Sequence, residues 1–397
     1  MQELFEPLSA GKLELSNRLV MAPMTRSRAT EDGAVTGLTV EYYRQRAAAG
    51  LIITEGTQPS VRGQGYILTP GLHDDGHVTA WRAVTDAVHA EGGRIFAQLM
   101  HAGRVGHPVL YPDGGVPLGP SPLASGEKLF TPDGMLDHPV PREMTVDDIA
   151  QAVEEFAASA RNAVEAGFDG VELHGANGYL IQQFLADGSN TRTDAYGGTI
   201  ANRIRFGVEV ARAVSEAIGP DRVGFRVSPG GTANGVSESD TAELYAALLA
   251  ALAPLGLAYL HIMELGDRDM TRRLRAAWPG TLILNPHPTP ESFPARPEYG
   301  AEALRDGVAD AVAFAEMWLA NPDLPARIRA AAPTTRRTGR RSTAATTAAT
   351  PTTRSSRDRC PAGTGEAPAS AKGSRCRGLA APPGQRPGRT PPLKLRL

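Results

Sequence analysis

The sequence predicts an α/β chain folded as a (β/α)8 TIM barrel, and three observations carry that prediction. Eight short runs of β-formers alternate with amphipathic stretches between residues 17 and 319, the pattern of repeated βα units closing a parallel sheet. The 333 residues that precede a sharp change in composition suit one such barrel, typically about 250 residues before insertions. The alternation is interrupted most conspicuously at 106–142, rich in Pro and Gly, which follows the third run and is therefore expected to hang over the catalytic mouth as a lid.

In chain order, the segment Gly11-Lys12-Leu13-Glu14-Leu15 precedes the first strand and is expected to plug the opposite mouth. Strands are expected at 18–22, 51–54, 94–98, 170–173, 223–227, 259–263, 281–284 and 311–314, each a short apolar run between turn-forming residues. Helices are expected at 78–90, 145–166, 202–218 and 239–253, where apolar residues recur at helical spacing.

Composition narrows the function classes. The chain has 397 residues, 41% of them hydrophobic, enough for a large core. No apolar run approaches the roughly 20 residues of a membrane span, and Met1-Gln2-Glu3-Leu4-Phe5 lacks the shape of a signal peptide. A cytoplasmic protein with no membrane partner is expected. Both cysteines, Cys360 and Cys376, lie near the C-terminus, so residues 1–333 have no thiol for a disulfide, a thiolate zinc site or an iron-sulfur cluster. No metal is expected. Residues 334–397 carry 14 Lys/Arg against 2 Asp/Glu, leaving 27 against 41 in the body. Two parts follow: a barrel at 1–333 and a low-complexity basic tail at 334–397. The tail has too few large apolar residues to order itself and no aromatics for stacking on bases, so no nucleic-acid partner is expected. A homo-oligomer is compatible with the sequence.

Polar residues collect at the expected strand ends: Thr25 after the first, Gln98 and His101 after the third, Arg226 at the end of the fifth. The fourth strand runs into Glu172-Leu173-His174-Gly175-Ala176-Asn177-Gly178-Tyr179, which places two hydrogen-bond donors and a phenol just past its carboxyl edge. One such residue is ordinarily a loop partner. A set converging on the C-terminal face of a barrel marks a catalytic site. Paired donors there can hold an oxyanion, and a phenol can deliver a proton.

Several strings carry a resemblance. Ala22-Pro23-Met24-Thr25-Arg26, Glu41-Tyr42-Tyr43-Arg44-Gln45-Arg46-Ala47, Gln98-Leu99-Met100-His101-Ala102-Gly103-Arg104, the motif ending at Tyr179, Arg226-Val227-Ser228-Pro229 and Asn321-Pro322-Asp323-Leu324 resemble the old yellow enzyme family over about residues 3–330. The resemblance implies a TIM barrel that binds FMN, takes hydride from NAD(P)H and reduces activated C=C bonds of enones, quinones or nitro compounds by ping-pong chemistry. It implies that Pro23, Met24 and Thr25 lie against the flavin, with the Thr25 hydroxyl on its C4 carbonyl. Gln98 would bond the pyrimidine edge, and Gly56 would admit the ring close to the backbone. Arg226 would stand by the N1 and O2 edge. His174 and Asn177 would grip the substrate carbonyl, Tyr179 would protonate the α-carbon, and Tyr66 and Met100 would line the pocket.

The resemblance also places Asn285, Ala315 and Glu316 at the FMN phosphate, and there the chain departs from the family pattern. Family members carry a Gly-rich turn after strand seven and a Gly-Arg pair after strand eight. This chain reads Asn285-Pro286-His287-Pro288-Thr289 and Ala315-Glu316. The prolines supply no amide hydrogens, and a carboxylate replaces a guanidinium, with His287 and Arg296 the groups able to compensate. A competing reading follows, in which the barrel cannot hold FMN and serves as a non-catalytic small-molecule binder. Relatives of this kind end with a segment resembling Arg-Ala-Thr-Phe-Tyr-Gly-Gly-Asp-Asp-Gly-Gly-Tyr-Thr-Asp-Tyr. Back-translated with chosen G/C-rich codons and shifted by one base, it yields residues 339–353 of this chain. The tail is thus expected to be an out-of-frame reading of an ordinary C-terminus.

Overall fold

The computed structural model describes residues 1–335. The tail, apart from its first two residues, and the reading-frame argument on 339–353 lie outside the described residues. Eight parallel strands close a barrel: β1 (Leu19–Met21), β2 (Leu51–Thr57), β3 (Ile95–Leu99), β4 (Gly170–Gly175), β5 (Val223–Val227), β6 (Tyr259–Met263), β7 (Leu282–Asn285) and β8 (Ala311–Phe314). Each pairs with its neighbours in sequence, and β8 returns to β1 through Val312↔Leu19 and Phe314↔Met21. All eight strand expectations fall on these elements. Helices cover the outer face, so strand residues are buried whichever way they point.

The helices include α1 (Gly37–Arg44), α2 (Asp75–Ala90), α3 (Val146–Glu165), α4 (Arg205–Ile218), α5 (Thr241–Leu252), α6 (Arg268–Ala277) and α7 (Pro297–Arg305). Helix α3 shows why they form where they do. Thr145 and Asp148 make a capping box at its start, satisfying amide hydrogens that the first turn leaves over. Its Ile149, Ala152, Phe156, Ala160 and Ala163 recur at the spacing of one helix face and are buried. A fully enclosed side chain such as Phe156 contributes roughly 1.5–3 kcal/mol through burial.

The barrel interior is layered. At its amino-terminal mouth the hairpin Leu8–Ala10 and Leu13–Leu15 sends Leu13 and Leu15 into a cluster with Val20, Ile53, Phe96, Tyr259 and Ile283, the expected plug. Above that apolar floor the inward positions turn polar. Register fixes this layer: Glu172 lies beside Gln98, while His174, Arg226 and His261 fall in one row across β4, β5 and β6. The excursion after β3 contains the hairpin Lys128–Thr131 and Gly134–Asp137. Arg104 fastens it to the loop after β5, donating to the carbonyls of Leu123, Asn234 and Gly235. Among the described residues no helix is long and apolar enough to cross a membrane.

Candidate active site

Strand β4 delivers the expected motif with one adjustment. His174 lies inside the strand rather than past its edge, while Asn177 follows it in the left-handed region at φ 57°. Tyr179 is the N-cap of the short helix Leu180–Leu185. That sharp reversal turns the Tyr179 phenol back to within 5.0 Å of the His174 ring, centroid to centroid. Two neighbours hold the reversal: the Asn177 amide donates to Ser228 Oγ (2.9 Å), and Asn234 Nδ2 donates to the Asn177 carbonyl (2.8 Å). Tyr179 and Tyr66 share a hydroxyl hydrogen bond of 2.9 Å.

Burial sets the protonation states. It pushes the Tyr179 phenol well above its usual range, with Tyr66 adding to the rise. The imidazole of His174 is pushed well down by burial and by the nearby Arg226 charge, so it is neutral and can donate one N–H. Its Nδ1 is buried with no protein partner, and so is Arg226 Nε.

Beneath lies a linked set. Gln98 Nε2 donates to Glu172 Oε1 (2.9 Å), and His261 Nδ1 meets Glu172 Oε2 (2.8 Å). Burial opposes ionisation of Glu172, but His261, Arg226 and Gln98 outweigh it and hold the carboxyl below its usual value. His261 is itself pushed down, mainly by burial, so the pair is a carboxylate accepting from a neutral imidazole. The Gln98 amide nitrogen is thereby committed inside the barrel, leaving its oxygen as the group that can face a ligand.

Pro23, Met24 and Thr25 are half-buried on the loop after β1. Glu55 holds that loop, its Oε2 accepting from the Arg26 amide (2.8 Å). Complete enclosure raises the Glu55 carboxyl to about 7. Tyr66, Met100 and Tyr179 pack together with Ala102 and Val105. At Gly56 a β-carbon would stand 2.6 Å from Met100 Sδ, so in this fold the glycine first makes room for Met100.

Asn285, Ala315 and Glu316 come together with His287 and Phe293 around a cleft of about 370 Å³ at the ends of β7 and β8. The Asn285 side chain is partly used, donating to the Ala313 carbonyl (2.9 Å). The loop after β7 offers little to an anion. Pro286 and Pro288 lack N–H groups, the His287 amide donates to Glu264, and the Thr289 amide donates to Ser292 Oγ. The His287 ring stacks on Phe293 at 3.7 Å. Arg296 and Glu316 share a neighbouring cleft of about 570 Å³ with Thr334 and Thr335.

Sequence reasoning passed over Glu55, Ser228, Asn234 and His261. Ser228 and Glu172 sat inside quoted motifs without a role. Asn234-Gly235 carries only a turn signal, Glu55 lies just past the expected run 51–54, and His261 sits inside the apolar run 259–263, where inward direction was the missing cue.

A parallel barrel whose carboxyl mouth gathers a buried guanidinium, a neutral imidazole and a protonated phenol defines a cofactor-dependent barrel enzyme. The model of the NADH:flavin oxidoreductase / NADH oxidase family matches residues 3–335. The chain is 44% identical over 340 residues to a probable flavin mononucleotide-dependent alkene reductase of Leishmania infantum, covering 83% of this chain and 91% of that protein. It is 40% identical over 353 residues to 12-oxophytodienoate reductase 7 of Oryza sativa subsp. japonica, covering 82% and 87%. Among solved structures, the old yellow enzyme homologue from Zymomonas mobilis superposes with a TM-score of 0.80 at 38% identity, covering 84% of this chain and 94% of that one. Morphinone reductase in complex with tetrahydroNAD gives 0.80 at 41% identity, covering 85% and 93%. This chain belongs to the NADH:flavin oxidoreductase / NADH oxidase family, the old yellow enzyme group.

It is therefore an FMN-dependent oxidoreductase that uses reduced nicotinamide. The ring end of the site fits that cofactor: Arg226 Nε, buried without a partner, and the open Gln98 oxygen suit the polar edge of an isoalloxazine. At the ends of β7 and β8 the His287 and Thr289 amides are already spent on Glu264 and Ser292. The reading of a barrel that has lost its chemistry finds no support in these relatives.

Proposed function

We propose that this enzyme reduces the C=C bond of α,β-unsaturated carbonyl, quinone and nitro compounds, with His174, Asn177 and Tyr179 acting on the substrate. Bound FMN supplies the hydride relay from NAD(P)H to the alkene. The neutral His174 imidazole and the Asn177 side-chain amide donate to the substrate oxygen and stabilise the negative charge that grows on it. Tyr179, protonated because it is buried, gives its proton to the neighbouring carbon. Tyr66 holds the phenol in place, and Met100 walls the pocket. Pro23, Met24, Thr25, Gly56, Gln98 and Arg226 hold the ring system. Asn285, Ala315, Glu316 and Arg296 face the phosphate. A cytoplasmic setting, where reduced nicotinamide is at hand, belongs to this reading, as do a barrel domain at 1–333 and an out-of-frame tail.

The observation that carries the proposal is the Tyr179 phenol turned back onto the His174 ring and bonded to Tyr66. The test is spectroscopic and then kinetic. Purified protein supplied with FMN should turn yellow, bleach with NADPH or NADH, and recover its colour anaerobically on addition of 2-cyclohexenone. Protein that stays colourless refutes the proposal, and so does flavin that only oxygen can reoxidise. Resequencing the coding DNA around Pro333 tests the tail: an uninterrupted frame with no family-like peptide in the neighbouring frame sinks that part.

A further inference from the structure

Away from the reacting groups, the chain enters helix α2 through His73-Asp74-Asp75-Gly76-His77. His73 lies just before the helix and His77 in its first turn, and the residue between them that caps the helix is a carboxylate, Asp74. Asp74 Oδ1 accepts from the His77 amide (2.8 Å), which leaves Oδ2 available. That oxygen lies 3.0 Å from His77 Nδ1 and 3.7 Å from His73 Nδ1, and the two rings stand edge to face with centroids 4.5 Å apart.

The His77 ring is held in a telling orientation. It is 2% exposed, and its Nε2 lies 2.9 Å from the Asp32 carbonyl. A carbonyl only accepts, so Nε2 carries the proton in the neutral ring and Nδ1 presents its lone pair. Nδ1 is buried, and its polar neighbour is the Asp74 carboxylate at 3.0 Å, another acceptor. Two lone-pair groups aimed at each other call for either a proton or a metal cation between them. A ring N–H tied to a backbone carbonyl, with the other nitrogen bare, is how metal-binding histidines are held. The remaining walls are small: a β-carbon at Gly71 would stand 2.9 Å from His73 Nε2, and one at Gly33 would stand 3.0 Å from His77 Nε2.

We propose that His73, Asp74 and His77 form a binding site for a divalent transition-metal cation, with zinc the best match. The three ligand atoms already lie within 4.8 Å of one another. Zinc bonds of about 2.0–2.2 Å to nitrogen and carboxylate oxygen set tetrahedral donors roughly 3.3 Å apart, within reach of small side-chain rotations. Asp74 and part of His73 face solvent, where water completes the shell. Two imidazoles and a carboxylate without thiolate suit zinc, nickel or copper and not magnesium or calcium. Counting cysteines passes over such a site.

The site lies at a junction. Gly71 pairs with Gln58 and donates to the Gly33 carbonyl, and Trp81 of α2 donates to the Gly71 carbonyl. A cation here fixes the start of α2 and the His77 ring, whose Nε2 already reaches the Asp32 carbonyl of the turn at 30–34. Its role is that of a clip on the pocket wall, with no part in the reaction.

The test uses tag-free holoenzyme stripped with a chelator. Zinc chloride should bind with one equivalent taken up, and cobalt chloride should give visible ligand-field bands. At 100 times the dissociation constant the melting temperature should rise by roughly 4 °C. His73→Gln, at a half-buried position, should weaken binding at least as much as loss of a ligand's supporting partner does, about 10–100-fold, while leaving the unloaded enzyme's melting temperature and enone reduction unchanged. His77→Gln should do the same to binding. If the wild type takes up no zinc, the proposal is wrong. Uptake that neither substitution weakens overturns it equally.

Discussion

Replacing Tyr179 by Phe removes one oxygen from an enclosed pair and leaves the ring packed on Met100, Ala102 and Val105. The fold has little reason to respond, because the lost hydrogen bond to Tyr66 is neutral and worth about 0.5–1.5 kcal/mol. The chemistry should respond strongly. A positioned general acid typically supplies 10²–10⁴ in rate, about 3–5 kcal/mol of barrier. Stopped-flow measurement of the two half-reactions separates these effects. Flavin reduction by nicotinamide should keep its rate, and reoxidation by an enone should slow at least about 100-fold. Tyr66→Phe is the control, losing only the hydrogen bond, so alkene reduction should slow by roughly threefold to tenfold. Burial raises the Tyr179 phenol well above its normal value, and a group is protonated below its pKa. The wild-type alkene step should accordingly be flat from about pH 6 to 9. Equal loss of both half-reactions in Tyr179→Phe, or a wild-type rate that falls with a midpoint near pH 8, would refute the proton-donor role.

Further expectations concern the phosphate end and the turn that aims the phenol. On the proposed placement of the phosphate beside Glu316, Glu316→Arg replaces a repelling charge by an attracting one, and exposed charges a few ångström apart interact by roughly 1 kcal/mol. Fluorescence titration should show FMN binding about tenfold tighter, and an unchanged affinity would place the phosphate elsewhere. Gly178→Ala combines φ +73° with a β-carbon only 2.1 Å from the Ala233 carbonyl oxygen, an obstacle of rigid backbone. A loss of about 2–4 kcal/mol by denaturant unfolding is expected, and wild-type stability would mean that the turn is not as described.

Much of this was legible because it is local. Each strand is a short apolar run and each helix a periodic one, so eight βα units could be counted before any contact was known. The segment from Glu172 to Tyr179 is legible for the same reason: a strand, a left-handed turn at Asn177 and Gly178, and a helix start lie within eight residues. Closing the barrel decided the rest. Glu172 meets Gln98 and His261, 74 and 89 residues away, only through strand register, and Tyr66 meets Tyr179 across 113 residues. Glu55 lies just past the strand expected at 51–54, and only the longer β2 of the folded chain turns it toward the loop after β1. The sequence by itself determined which residues could carry protons, charge and hydrogen bonds, because side-chain chemistry and short-range backbone preference reside in the residues themselves. Tertiary structure decided which nitrogens and oxygens are spent on one another and which remain open to a ligand, because burial and pairing exist only once distant segments exclude water together.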